Sequence, residues 1–108
     1  MRILLDHNTP ATLRYSLFGH QIETAYERGR AELTNGDLLA AAESDGLDLL
    51  ITTDRNIRYQ QNLSGRRLAL MALNTNDWTR LRLHTQLVVS ALPGIRPGTY
   101  VEVTIPFR

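Results

Sequence analysis

The sequence contains no cysteine and no lysine. Without cysteine there is no disulfide framework, no thiolate metal site and no cysteine nucleophile. Without lysine there is no Schiff-base chemistry and no site that depends on an ammonium group. Aromatic residues make up only 6% of the chain, so the core has to be built from Leu, Ile, Val and Ala. No apolar run is long enough to span a membrane, and the apolar part of the opening stretch Met1–Asp6 is too short for a signal peptide. A cytoplasmic protein with no membrane partner is the expectation. Glycine-rich phosphate loops and dinucleotide fingerprints are also missing, and His7, His20 and His84 lack metal-ligand spacing.

All twelve basic residues are arginine, set against eleven acids, for a net charge of +1. Genome composition is the ordinary reason for such a bias. Arginine also suits phosphate better than lysine does, through its planar fork of donors. A net charge near zero rules out a wholly basic nucleic-acid binder and leaves room for a local groove. A chain of 108 residues is one domain by length, here 1–108. It exceeds the roughly 60 residues at which a core can stand without staples.

The stretch Leu49-Leu50-Ile51-Thr52-Thr53-Asp54-Arg55-Asn56 reads as a buried strand that runs out into a polar turn with one carboxylate. The same logic opens the chain in Ile3-Leu4-Leu5-Asp6-His7-Asn8. Around these two, the pattern alternates. Arg2–Leu5 is a strand. Thr9-Pro10 reads as a cap and first helical residue, with a helix to about Phe18 stopped by Gly19. Gln21–Ala25 is a second strand, followed by a charged connection. Leu38–Ser44 is an Ala/Leu helix behind Thr34 and Asp37, which imitate a capping box. Leu47–Thr53 is apolar on both faces, as in a strand covered by helices on both sides. Ile57–Leu63 is a polar helical turn, and Leu68–Leu73 is another apolar strand. Trp78–Leu92 has one inward stripe of Leu81, Thr85, Val88 and Leu92, and a second of Leu83, Leu87 and Ala91. Thr99–Ile105 alternates with a period of two, which marks an edge strand of either direction.

Alternating elements of this kind predict an α/β fold with a central, mostly parallel sheet of about five strands flanked by helices, with the first strand beside the third. In such sheets ligands bind outside the carboxyl ends of the strands. That edge would hold Asp6, His7 and Asn8, then Asp54, Arg55 and Asn56, then Asn74 to Asp77, with Asp37 at a helix start facing it. Clustered carboxylates repel unless a cation joins them. Mg²⁺ or Mn²⁺ is the natural neutraliser, being a hard ion that takes carboxylate and water oxygens. Such an ion polarises a phosphoryl oxygen and activates water. Each acid also has an ordinary use: Asp6 and Asp54 as turn residues, Asp37 and Asp77 as helix caps. Arg55, Arg58, Arg66 and Arg67, with Tyr59 and the amides of Gln60, Gln61 and Asn62, offer phosphate grip, base stacking and base-edge hydrogen bonds. They equally describe an exposed, solvated loop.

Leu4-Leu5-Asp6-x-Asn8, Leu38-Leu39 after Thr34-Asn35-Gly36-Asp37, and Leu50 to Asn56 followed by Tyr59-Gln60-Gln61-Asn62-Leu63 resemble, in order and interval, a family of small bacterial PIN-like proteins. That family is similar to the toxin halves of VapC-type toxin–antitoxin pairs, though shorter. The likeness covers roughly residues 1–75. It implies a PIN-like fold, an acidic Mg²⁺/Mn²⁺ pocket, cleavage of single-stranded RNA and a small antitoxin partner encoded alongside. By this resemblance Asp6, Asp37 and Asp54 are the catalytic, metal-holding acids, and His7 falls where many relatives carry Glu. Asn8 and Asn56 would orient the carboxylates, and Arg55, Arg58, Arg67 and Tyr59 would hold RNA. The competing expectation is a binding module that lacks catalysis. It would act on a protein partner, on RNA or as a homodimer through the edge strand and the last helix.

Overall fold

The computed structural model describes residues 1–27, 29, 35–54 and 65–107. Five strands form one sheet: β1 (Arg2–Leu5), β2 (Gln21–Thr24), β3 (Leu49–Thr52), β4 (Ala69–Leu73) and β5 (Tyr100–Val103). Their order is β2-β1-β3-β4-β5, and every neighbouring pair is parallel. The expected neighbours β1 and β3 are in register from Ile3 opposite Leu49 to Leu5 opposite Ile51. β5 is an edge strand, and it runs parallel to β4.

Alternate side chains feed two layers. Ile3, Leu5, Leu49, Ile51, Ala69, Met71 and Val103 point to one face. There they pack with Leu13 from a 3₁₀ helix (Ala11–Ser16), Leu81 from the single turn α2 (Trp78–Leu81) and Val88 from α3 (Thr85–Ala91). Leu4, Leu50 and Leu70 point to the other face, under Leu38, Leu39 and Ala42 of α1 (Asn35–Ser44). Cover on both sides explains why β3 is apolar at consecutive positions, with Leu49, Leu50 and Ile51 each fully buried. Burying each such side chain contributes about 1.5–3 kcal/mol.

α1 closes with two hydrogen bonds, Gly46 N–H to the Glu43 carbonyl and Leu47 N–H to the Ala42 carbonyl, 3.0 Å each. This double closure needs a left-handed residue at its centre, and Gly46 supplies it at φ +78°. A Cβ there would also stand 3.2 Å from Arg2 Nη1, which donates to the Asp45 carbonyl. The end of α1 is thereby fixed at the amino edge of the sheet, and its first turn lies toward the carboxyl edge.

Two expectations need correction. The first helical segment is 3₁₀ rather than α, and Thr9 does not cap it: Pro10 occupies the cap position without a side-chain bond. Thr9 has turned its hydroxyl to Asp6 instead. The long helix over Trp78–Leu92 is broken. His84 N–H bonds to the Leu81 carbonyl at 2.9 Å, a three-residue step that ends the α ladder. Leu83-His84-Thr85 includes two weak helix formers at that point. The break also swings the second stripe outward: Leu83 is 62% and Leu87 42% exposed, while Leu81, Val88 and Leu92 remain inside. Asp77 caps α2, accepting from Thr79 N–H at 3.0 Å. No helix among the described residues is long and apolar enough to cross a membrane. The expected turn at Ile57–Leu63 lies outside the described residues.

Candidate functional site

The chain passes from β1 to β2 on one side, then returns past β1 to β3, β4 and β5 on the other. The direction therefore reverses between β1 and β3. In an open parallel sheet, the carboxyl ends at that reversal flank a crevice, because the connections leave them in opposite directions. Asp6 follows β1 there, and Asp54 follows β3.

Asp6 is still part of the sheet. Its N–H donates to the Ile51 carbonyl at 3.1 Å, which holds the residue against β3. The carboxylate is 5% exposed and accepts four hydrogen bonds. Oδ1 takes the N–H groups of Asn8 and Thr9, at 3.2 and 3.0 Å, and the Thr9 hydroxyl at 2.6 Å. Oδ2 takes the hydroxyl of the fully buried Thr52. A buried charge is tolerable only when satisfied in this way. Three of the four donors converge on Oδ1, and among the described residues Oδ2 takes one.

Thr52 joins the two acids. Its hydroxyl donates to Asp6 Oδ2 and accepts from the N–H of Asp54 at 3.1 Å. Asp54 is half-buried. His7 and Asn8 are exposed beside Asp6. Asn8 donates its main-chain N–H to the carboxylate. Asp37, exposed in the first turn of α1, lies toward the same edge. Arg55, Asn56, Arg58 and Tyr59 lie outside the described residues.

Arg67 is not brought to this group. It precedes β4 and so stands at the amino edge, where it borders a cavity of about 240 Å³ with Asp48 and Arg96. Its N–H donates to Glu43 Oε1 at 2.6 Å. That bond, with Arg66 Nη1 on Glu43 Oε2 at 2.9 Å, keeps the Glu43 carboxyl below its ordinary pKa. The sequence order of strand and arginine, Arg67 before and Asp54 after, already separates the two in a parallel sheet.

A cleft of about 470 Å³ opens next to Asp6, between the 3₁₀ helix and the end of β2. His7, Thr24, Tyr26, Glu27 and Arg14 line it. Arg14 and Glu27 form a two-pronged pair, Nη1 to Oε2 at 3.0 Å and Nη2 to Oε1 at 2.8 Å. Arg14 Nη2 also reaches the Ile22 carbonyl at 2.9 Å, and Thr24 N–H donates to Glu27 Oε1 at 2.9 Å. The Arg14 hydrogen bond, followed by that Thr24 N–H, draws the Glu27 pKa down to about 2. None of Arg14, Thr24, Tyr26 or Glu27 stands out in the sequence, because their meeting depends on how the 3₁₀ helix docks on β2. Thr9 did carry a signal: a threonine three residues after an aspartate suits a turn closed by the carboxylate.

Among the described residues, no group of three or more His, Cys, Asp or Glu side chains is placed to hold a metal ion. Asp6 and Asp54 are the acids that follow the neighbouring strands β1 and β3. No protein-family model, no curated protein and no solved structure matches the chain.

Proposed function

We propose that the carboxyl edge around Asp6 and Asp54 is the site of a metal-dependent endoribonuclease acting on single-stranded RNA, the toxin of a pair with a small antitoxin. The observation that carries this reading is the position of the two acids. They straddle the reversal between β1 and β3, tied through one buried hydroxyl. The donor set fits Mg²⁺ or Mn²⁺, which commonly takes one or two carboxylates and completes its shell with water and phosphate oxygens. Asp6 would contribute Oδ2 alone, Asp54 a second carboxylate, and Asp37 a water-positioning carboxylate. The ion when bound would polarise the phosphodiester and lower the pKa of an attacking water. Thr52 fixes the Asp6 carboxylate in one orientation. The resemblance to PIN-like toxins supplies the RNA and the antitoxin.

The test pairs cleavage with toxicity. Asp54→Asn keeps the shape and removes a charge. It abolishes RNA cleavage and growth inhibition while the thermal midpoint stays put. A fully toxic Asp54→Asn protein ends the assignment at this site.

One observation favours the second reading, a binding module without catalysis: Asp6 spends most of its acceptor capacity inside the protein. Metal titration separates the two. A nuclease site gains stability with Mn²⁺ by mass action, and a thermal midpoint unmoved at millimolar Mn²⁺ supports the module.

A further inference from the structure

We propose that the cleft beside Asp6 receives one unpaired RNA base, stacked on Tyr26, with preference for bases that carry an exocyclic amino group. The inference rests on the ribonuclease reading for its substrate class and extends it to base selection. Three observations lead to it. The cleft volume, about 470 Å³, falls within the roughly 300–1,000 Å³ of small-ligand sites, and Asp6 itself is part of the wall. Tyr26 lines the cleft yet is 81% exposed, an aromatic ring offered to solvent at the mouth. Unpaired bases stack on such rings whatever their identity.

The polar groups choose among occupants. Arg14, the one arginine on the wall among the described residues, is committed at both prongs to Glu27 and at Nη2 to the Ile22 carbonyl. Among the described residues no wall guanidinium is therefore left to meet a phosphate, and the neighbouring Asp6 carboxylate repels one. An uncharged ring fits better. Glu27 Oε1 is used by Arg14 and Thr24, whereas among the described residues Oε2 takes Arg14 Nη1 and retains an acceptor position. Its side chain is 47% exposed. An ionised carboxylate only accepts. It pairs with the amino group of cytosine and meets only a carbonyl oxygen at the same place on uracil. The Arg14 contact keeps Glu27 ionised across the physiological range.

The experiment measures binding in EDTA, where no bond is broken. Labelled oligocytidylate and oligouridylate differ at this amino group and are titrated with the unmodified protein by fluorescence anisotropy. Oligocytidylate is expected to bind about tenfold tighter. Tyr26→Ala should weaken it by about tenfold, with Tyr26→Phe close to the parent. Glu27→Gln should erase the difference between the two oligonucleotides. Should Glu27→Gln fail to fold, the exposed Tyr26 carries the test by itself. Equal binding of the two oligonucleotides, no binding of either, or an unchanged affinity in Tyr26→Ala overturns the proposal. A protein that discriminates between them but never cleaves RNA with Mn²⁺ retains the base cleft and loses the nuclease reading. One that cleaves without discriminating loses only the cleft.

Discussion

The two edges of the sheet solve the same problem in different ways. At the amino edge, charge is closed off by pairings at the surface. Arg2 N–H donates to Asp48 Oδ2 at 2.8 Å, and Glu43 pairs with Arg66 at 2.9 Å while accepting from Arg67 N–H. These groups keep contact with water. At the carboxyl edge one aspartate is drawn inside and surrounded by donors from the turn after β1 and from β3, while Asp54 is half-buried and His7 and Asn8 are exposed. The amino edge is a set of ties. The carboxyl edge is a fixed carboxylate with an open cleft beside it. Abundance of charge does not mark the site, since both edges have it. The mark is charge removed from water and held in a single orientation.

The largest test of that difference is Asp6→Ala. Truncation strands the Thr52 hydroxyl and the Asn8 N–H, while the Thr9 hydroxyl and N–H keep the Ile51 and Asp6 carbonyls, and should lower the unfolding free energy by about 2 kcal/mol or more. Its counterpart at the amino edge, Asp48→Ala, exposes one N–H to water and should cost less than about 1 kcal/mol. Urea unfolding of both variants measures the gap, and equal losses would erase the contrast. Next comes Asn74→Ala. The Asn74 amide mimics a strand, accepting from Ile105 N–H at 2.7 Å and donating to its carbonyl at 3.2 Å. Its loss should cost about 1–2 kcal/mol and loosen the chain after β5, read as faster amide exchange at Ile105. Asp77→Ala removes the cap of α2, for about 1 kcal/mol in the same urea experiment.

The smallest effect compares the edges by pH. Glu27 and Glu43 both have carboxyl groups depressed by folding, Glu27 to about 2 from 4.5. A group lowered in the folded state stabilises fully above its unfolded value, and that contribution fades as pH falls toward the folded value. Thermal midpoints followed from about pH 5 down to about pH 2 should therefore drop, with a shallower drop in Glu27→Gln and in Glu43→Gln. Glu27→Gln should flatten the profile over the wider window, since its window reaches down to about 2. Identical profiles for parent and both variants would remove these pairs from the account.

Much of the fold was legible because periodicity reports burial. Leu49-Leu50-Ile51 is apolar at successive positions, which only a strand covered on both faces requires, and that placed β3 centrally beside β1. Val101, Val103 and Ile105 alternated and proved to be an edge. Leu83 and Leu87 misled, because helical spacing is blind to a break: once His84 tightened the chain, the same residues faced water. The site was half legible. Asp6 and Asp54 could be paired from topology, since both follow strands that had to be neighbours. Thr52 could not, because a threonine at the end of a β-branched strand looks like any other. Arg67 was read as part of a basic run near Asp54 in sequence, but one strand length in a parallel sheet carries a residue from one edge to the other. The pairing of Arg14 with Glu27, thirteen positions apart, is written only in the docking of the 3₁₀ helix.

The seat of β1 inside the sheet also governs when the acidic edge comes into existence. Asp6 is made before the hydroxyl that holds its Oδ2, which comes 46 positions later, on a strand that pairs only after a crossover has formed. Closing that long loop is a slow, entropically uphill step. During synthesis the early carboxylate is therefore just another solvated charge on an unfinished chain. Whatever chemistry this edge performs is withheld until β3 arrives, so a ribosome producing the protein meets the finished arrangement only in the folded product.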